Sequence, residues 1–174
     1  LDPDLLGKGD PDEPWQISAE TISYDDRAQR YVAEGNVRIS RGSVRLTADE
    51  VRFDHRSMDA AASGHVVLVS GKDVLIGDSI DINLQDQVGT VIQGTVFLEE
   101  NHFYIRGDNI EKLGENTYAA ERATLSSCDG QAPAWKITGR KLDVTLEGYG
   151  VVRHAALYAK DVPVLYTPIF VFPT

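Results

Sequence analysis

The chain has 174 residues, with 17 Lys and Arg against 27 Asp and Glu, a formal charge of −10. That length suits one domain with a real core, and 42% apolar with 25% charged residues marks a globular chain rather than a disordered one. So acidic a surface repels a phosphate backbone, which weighs against nucleic acid and, equally, against an anionic membrane surface as a simple electrostatic target.

No apolar run approaches the ~20 residues of a membrane helix, and no signal peptide is in view. Both ends read as cut, so the chain is expected to be a piece of a longer protein. Residues 1–14 hold Pro3, Pro11 and Pro14, two Gly and five acidic residues, the composition of a linker. Regular structure is expected from Trp15.

From there the sequence repeats. Ile17–Asp25, Leu46–Asp54, Leu75–Asn83, Ile105–Leu113 and Ile137–Thr145 superimpose, their starts 29, 29, 30 and 32 residues apart. Between them lies a second family, Ala33–Ile39, Ala62–Leu68 and Ile92–Leu98, with looser copies at Ala120–Ser126 and Val151–Leu157. A fixed period of about 30 residues signals a repeated supersecondary unit. Apolar residues inside the pieces alternate, as in Val37/Ile39, Val66/Leu68 and Val96/Leu98, which is the half-buried strand pattern. Turn residues fall between them at Asp25-Asp26, Arg41-Gly42-Ser43, Ser70-Gly71-Lys72-Asp73, Gly114-Glu115-Asn116 and Asp129-Gly130. Ten to twelve antiparallel strands and essentially no helix are expected.

In the first family the apolar phase slips by one residue at Glu20-Thr21, Asp49-Glu50, Asp78-Ser79, Asp108-Asn109 and Arg140-Lys141, each preceded by Ala or Gly. A slip turns the rest of a strand to the other face unless a bulge or bend absorbs it. These strands are therefore expected to bend at a common level, and those of the second family to run straighter. Bent hairpins of this kind build a curved sandwich or an open roll.

Enzyme signatures are poor. His55, His65, His102 and His154 form no metal pattern, so no metal site is expected, and no cofactor motif is present. Ser126 and Ser127 beside Cys128 have no evident base. The carboxylate pairs recur at equivalent repeat positions, which suits a structural role at bulges and edges better than the two-carboxylate chemistry of a glycosidase. What remains is the apolar face. Closed on itself it is a core; opened, it is a trough suited to an acyl chain. The residues placed on the inner phase are Val37, Ile39, Val51, Phe53, Val66, Leu68, Ile80, Ile82, Val96, Leu98, Ile110 and Leu142.

The string Tyr31-Val-Ala-Glu-Gly-Asn-Val-Arg-Ile39, followed by Leu46–Asp54, resembles the OstA-like repeat of lipopolysaccharide-transport proteins. With Ala123-Thr-Leu-Ser-Ser-Cys-Asp-Gly130, Trp135-Lys-Ile137, Ala156–Pro168 and Phe172-Pro173, it is similar to the periplasmic-domain branch of that family, the LptD type. The resemblance implies a V-shaped open β-jellyroll over residues 15–161, with 162–174 connecting to a C-terminal outer-membrane β-barrel. It implies a non-enzymatic module on the periplasmic side of the outer membrane that conducts lipopolysaccharide by its lipid A acyl chains. It further implies edge-strand pairing with the periplasmic bridge protein LptA, delivery to the barrel with its lipoprotein plug LptE, and a disulfide from Cys128 to the barrel. A second family cysteine near the amino terminus has no counterpart in residues 1–14. The reading kept beside it is a structural or adhesive β-solenoid with a sealed core and no ligand.

Overall fold

The computed structural model describes residues 14–83, 86, 88–99, 102–114, 117–128, 133–145 and 148–173. Twelve strands follow in chain order: β1 (Gln16–Ser18), β2 (Thr21–Asp25), β3 (Arg30–Arg41), β4 (Val44–Asp54), β5 (Asp59–Ser70), β6 (Asp73–Asn83), β7 (Val88–Leu98), β8 (Phe103–Lys112), β9 (Thr117–Ser126), β10 (Trp135–Thr145), β11 (Tyr149–Ala159) and β12 (Val162–Pro173). Each pairs antiparallel with its successor in one sheet, except that β1 and β2 both pair with β3. Among the described residues β12 pairs only with β11, so the sheet stays open. Turn chemistry sets the hairpins. Asp25 and Asp54 each accept two backbone N–H groups of the loop that follows, from Arg27 and Ala28 and from Arg56 and Ser57, at 2.9–3.3 Å.

The phase slip of the first-family strands is present. β4 buries Val44 and Ala48 and then Val51; β6 buries Leu75 and Gly77 and then Ile80. The corresponding residues of the first repeat, Ala19 and Glu20, interrupt the strand outright and leave β1 and β2 as separate pieces. The backbone irregularity, however, lies in the second family, which was expected to run straighter. Gly35 and Asn36 in β3, Gly64 and His65 in β5, Gln93 in β7, Arg122 in β9 and His154 in β11 all have positive φ. In β3 and β5 the register shifts there, between Glu34 and Val37 and between Ser63 and Val66. The correction has a steric basis. Two strands sharing a bend need a local twist, and the partner supplies it with an extra left-handed residue, while the slipped strand keeps ordinary dihedrals. The level of the bend is common to all strands, as the slips predict.

Each strand thus has two arms, one on each side of the bend, with the apolar residues of both on the inner face. Ala33, Val37, Ala48, Val51, Ala62, Val66, Leu68, Ile80, Val91, Val96, Ile110, Leu142 and Val152 belong to one buried cluster. Small residues let the arms approach. A Cβ on Gly77 would lie 2.7 Å from Val91 Cγ1, and one on Gly94 would lie 2.9 Å from the same atom.

Gly64 is needed twice over. Its φ is +74°, and a Cβ would collide with the Asp49 side chain. Gly71, at φ +59°, has open space around it. Gly64→Ala is expected to lower stability by ~3 kcal/mol and Gly71→Ala by ~1 kcal/mol, a difference that urea midpoints measured side by side will show.

Candidate functional site

Among the described residues, the apolar positions singled out from the sequence converge on the inner face. Val37, Val51, Val66, Leu68, Ile80, Val96, Ile110 and Leu142 are buried in the single cluster, Val66 completely. Ile39 and Ile82 are half-buried and pack against it. Phe53 is also half-buried, its ring 6.5 Å from that of Tyr31, which in turn stacks on Tyr24 at 4.4 Å. The side chain of Leu98 lies outside the described residues. Val66, Val37, Leu68 and Val44 are among the most deeply buried, the last at the tip of an arm. Ile39, Leu46, Ile105 and Ile137 on one arm and Ile82 and Val144 on the other are only partly covered. The interior is therefore a packed seam that leaves some apolar residues of both arms partly covered.

The ends of the sheet are unlike its middle. On β1–β3, Ile17, Ile22, Tyr24 and Tyr31 are exposed; on β12, Val162, Val164, Leu165, Tyr166, Ile169 and Val171 are 54–64% exposed. Both edge strands carry unpaired backbone and uncovered apolar side chains, the combination that templates pairing with another strand. Residues 162–173, read from sequence as a connection, form β12 with ten register pairs to β11.

Along the outside of the bend runs a ladder of polar pairs. Asn36 Nδ2 donates to Glu20 Oε1 at 2.6 Å, His65 Nδ1 lies 2.8 Å from Asp49 Oδ2, and Arg122 pairs with Asp108. In each pair an acid of the slip meets the left-handed residue of the next strand. The recurring carboxylates thus have the structural place at bulges that their spacing suggests, with side chains as partners. Glu20 also donates its backbone N–H to Gly35 O at 3.0 Å. The partners Asn36, His65 and Arg122 were missed by sequence reading. Their signal was present in Gly35-Asn36 and Gly64-His65, since Gly inside a strand marks a bulge.

Two further carboxylates, Asp54 and Asp59, lie with Arg30, Arg52, Asp81 and Glu111 on a recess of about 800 Å³ at the tips of β3 to β8 on one arm. The backbone N–H groups of Arg56 and Ser57 hold Asp54 below the usual carboxylate range, and hydrogen bonds from Ser57 and Asn83 do the same for Asp59. Groups so held are poor proton donors, the reverse of what a glycosidase acid needs. Cys128 is the chain's sole cysteine, so no disulfide can form within it. Ser126, buried, donates to Trp135 O at 2.7 Å and accepts the Cys128 N–H at 3.1 Å, while Trp135 Nε1 donates to Ser127 Oγ. The backbone N–H of Ala134, followed by that of Trp135 and by the hydroxyls of Ser126 and Ser127, lowers the thiol's pKa. The turn presents a half-buried thiol biased toward its reactive form.

Residues 16–58 match the family model described as LptA/(LptD N-terminal domain) LPS transport protein. The LPS-assembly protein LptD of Acinetobacter baumannii is 35% identical over 166 residues, an alignment spanning 94% of this chain and 20% of that protein. That of Alkalilimnicola ehrlichii is 30% identical, over 94% of this chain and 22% of the relative. The chain belongs to the LptD N-terminal-domain family. It spans about a fifth of the length of the curated relatives it matches. Family membership places it on the periplasmic side of the outer membrane; the relatives themselves are named as LPS-assembly proteins. A solved structure, LptH of Pseudomonas aeruginosa, described as the LptA homologous periplasmic component of the lipopolysaccharide transport device, aligns over 57% of this chain and 75% of its own, with a TM-score of 0.49 and 23% identity.

The Asp49 hydrogen bond and the charges of Asp49 and Asp78 raise the pKa of His65 above its ordinary 6.5. A raised folded-state value adds stability below pH 6.5, and that contribution is lost as the pH climbs through the folded value. NMR titration is expected to place His65 above 6.5 in the wild type and to return it toward 6.5 in Asp49→Asn. The stability gained on acidification across this range should shrink in the same variant.

Proposed function

We propose that this chain binds lipopolysaccharide by its lipid A acyl chains along the inner face and passes it from a periplasmic bridge of the LptA type toward an outer-membrane β-barrel. The observation that carries the reading is the continuity of that face. One apolar surface crosses every strand from β3 to β11 without interruption, and residues on both arms of it are only partly covered. A conduit needs many similar, shallow sites, which the ~30-residue repetition supplies.

The arms are packed together, so lipid must part them. Parting is cheap once a chain is between them, because each arm exchanges contact with the other arm for contact with hydrocarbon. A buried CH₂ contributes about 0.8 kcal/mol in either case. The lipid sugars and phosphates stay outside, where an acidic rim gives them no electrostatic handle.

The exposed edge at β1–β3 suits strand pairing with the bridge, and β12, with its uncovered apolar residues, leads toward the barrel and its plug LptE. Residues 15–161 would be the conducting roll and 162–174 the joint. Cys128 is suited to a disulfide with a cysteine of that barrel. A second reading has its own support: the full burial of Val66 and Leu68 fits a sealed structural core with no ligand.

One experiment separates the two. A photoreactive amino acid is placed at Phe53, Leu68 or Ile82 on the inner face, and at Arg52 or Asp81 on the outer, with lipopolysaccharide added before irradiation. Adducts confined to the inner set are expected. Their absence from every position, in protein that remains folded by circular dichroism, would return the interior to a sealed core.

A further inference from the structure

The charge of −10 is not spread evenly over the two arms. Take the arm that begins at the bend and ends in the β3–β4, β5–β6 and β7–β8 turns. Its outer face is set by two cross-strand rows. One runs Arg38, Thr47, Val67, Ile76, Thr95, Arg106; the other runs Ser40, Arg45, Val69, Val74, Phe97, Tyr104. Their neighbours Leu68, Leu75 and Val96 point into the core, which turns these rows outward. The middle of the face is apolar. Ile76 is 49% exposed, and the Phe97 and Tyr104 rings sit 4.7 Å apart. Arg38 and Arg45 border it on one side and Arg106, 5.9 Å from the Tyr104 ring, on the other; Lys136, further along, is paired with Asp161. The two rows contain no Asp or Glu; at the bend the face is bordered by Asp49, Asp78 and Asp108, of which Asp49 and Asp108 are paired with His65 and Arg122. The outer face of the other arm is richer in acids, with Glu34, Glu50, Asp54, Asp81 and Glu111 in its rows against Arg30 and Arg52, which pair with Asp54 and Glu50.

We propose that the basic, aromatic outer face docks on an anionic phospholipid bilayer surface. The chemistry selects that occupant. Arginines beside an apolar patch, with Ile76 exposed and Phe97, Tyr104 and the Val residues half-buried, match a headgroup layer, where guanidinium groups meet phosphate and the apolar patch enters the boundary with the acyl chains. The net charge does not oppose this. Screening limits each charge to about 8 Å at physiological ionic strength, so a bilayer meets the face presented to it, while the acidic arm is turned away and fixes the orientation. This face is distinct from the inner one, and the docking does not depend on the lipopolysaccharide reading.

The test is flotation of the 174-residue chain with vesicles free of lipopolysaccharide. One set contains phosphatidylglycerol in phosphatidylcholine, the other phosphatidylcholine alone. Binding is expected to the first set, at least tenfold weaker to the second, and to weaken as salt rises. R38E/R45E is expected to lose about tenfold or more, given the strength of single surface arginines at an anionic leaflet, and Ile76→Ser to lose a smaller factor. E34Q/E50Q on the acidic arm should bind at least as well as the wild type. Arg38 and Arg45 are exposed, so R38E/R45E should keep its circular dichroism spectrum and urea midpoint. Failure of the folded wild type to float with anionic vesicles, or undiminished flotation of R38E/R45E, would overturn the proposal.

Discussion

The structure depends on a constraint of side-chain phase. A strand alternates faces with a period of two, so it can keep its apolar residues on one side of a sharp bend only by changing phase there. Every first-family strand does this at the same level, and every second-family neighbour supplies a left-handed residue opposite. From that pairing follow the two arms, the shared apolar interior, and the outer ladder in which Glu20, Asp49 and Asp108 reach Asn36, His65 and Arg122. The carboxylates that give the chain its acidity are thus partly explained by architecture: several cap turns or brace the bend.

Strand existence, order and the level of the bend were legible because they rest on local signals that repeat. Alternation, turn residues and the slip recur about every 30 residues, and the twelve strands follow them closely. The strand that carries the irregular backbone was not legible from phase alone. Parity is preserved through Ala33, Gly35 and Val37, which reads as a straight strand although Gly35 and Asn36 both have positive φ. The glycine itself was the better signal. The ~30-residue copies are also not equal: Ile92 aligns with Ala33 and Ala62, yet the strand buries Val91 and leaves Ile92 exposed, because β7 turns about Gln93 without the glycine bulge.

Which face was inner could be placed from the density of aliphatic residues, and most of the chosen positions are buried. Net charge was the poorest guide. A sum of −10 hides an arm whose two outer strand rows hold Arg38, Arg45 and Arg106 and, among the described residues, no carboxylate. Long-range cross-strand register assembles that face from residues up to 68 positions apart (Arg38 to Arg106), so no window of sequence displays it.

The central claim is that the interior is a seam able to open around lipid. Spin labels at Arg45→Cys and Arg52→Cys, on the two arms of β4, in a Cys128→Ser background, would read the arm separation directly. Facing sheets pack about 10 Å apart, too close to admit a layer of acyl chains. The account predicts that the label separation widens when lipopolysaccharide binds and narrows again when it is extracted. Saturation with bound lipopolysaccharide and an unchanged distance would contradict it.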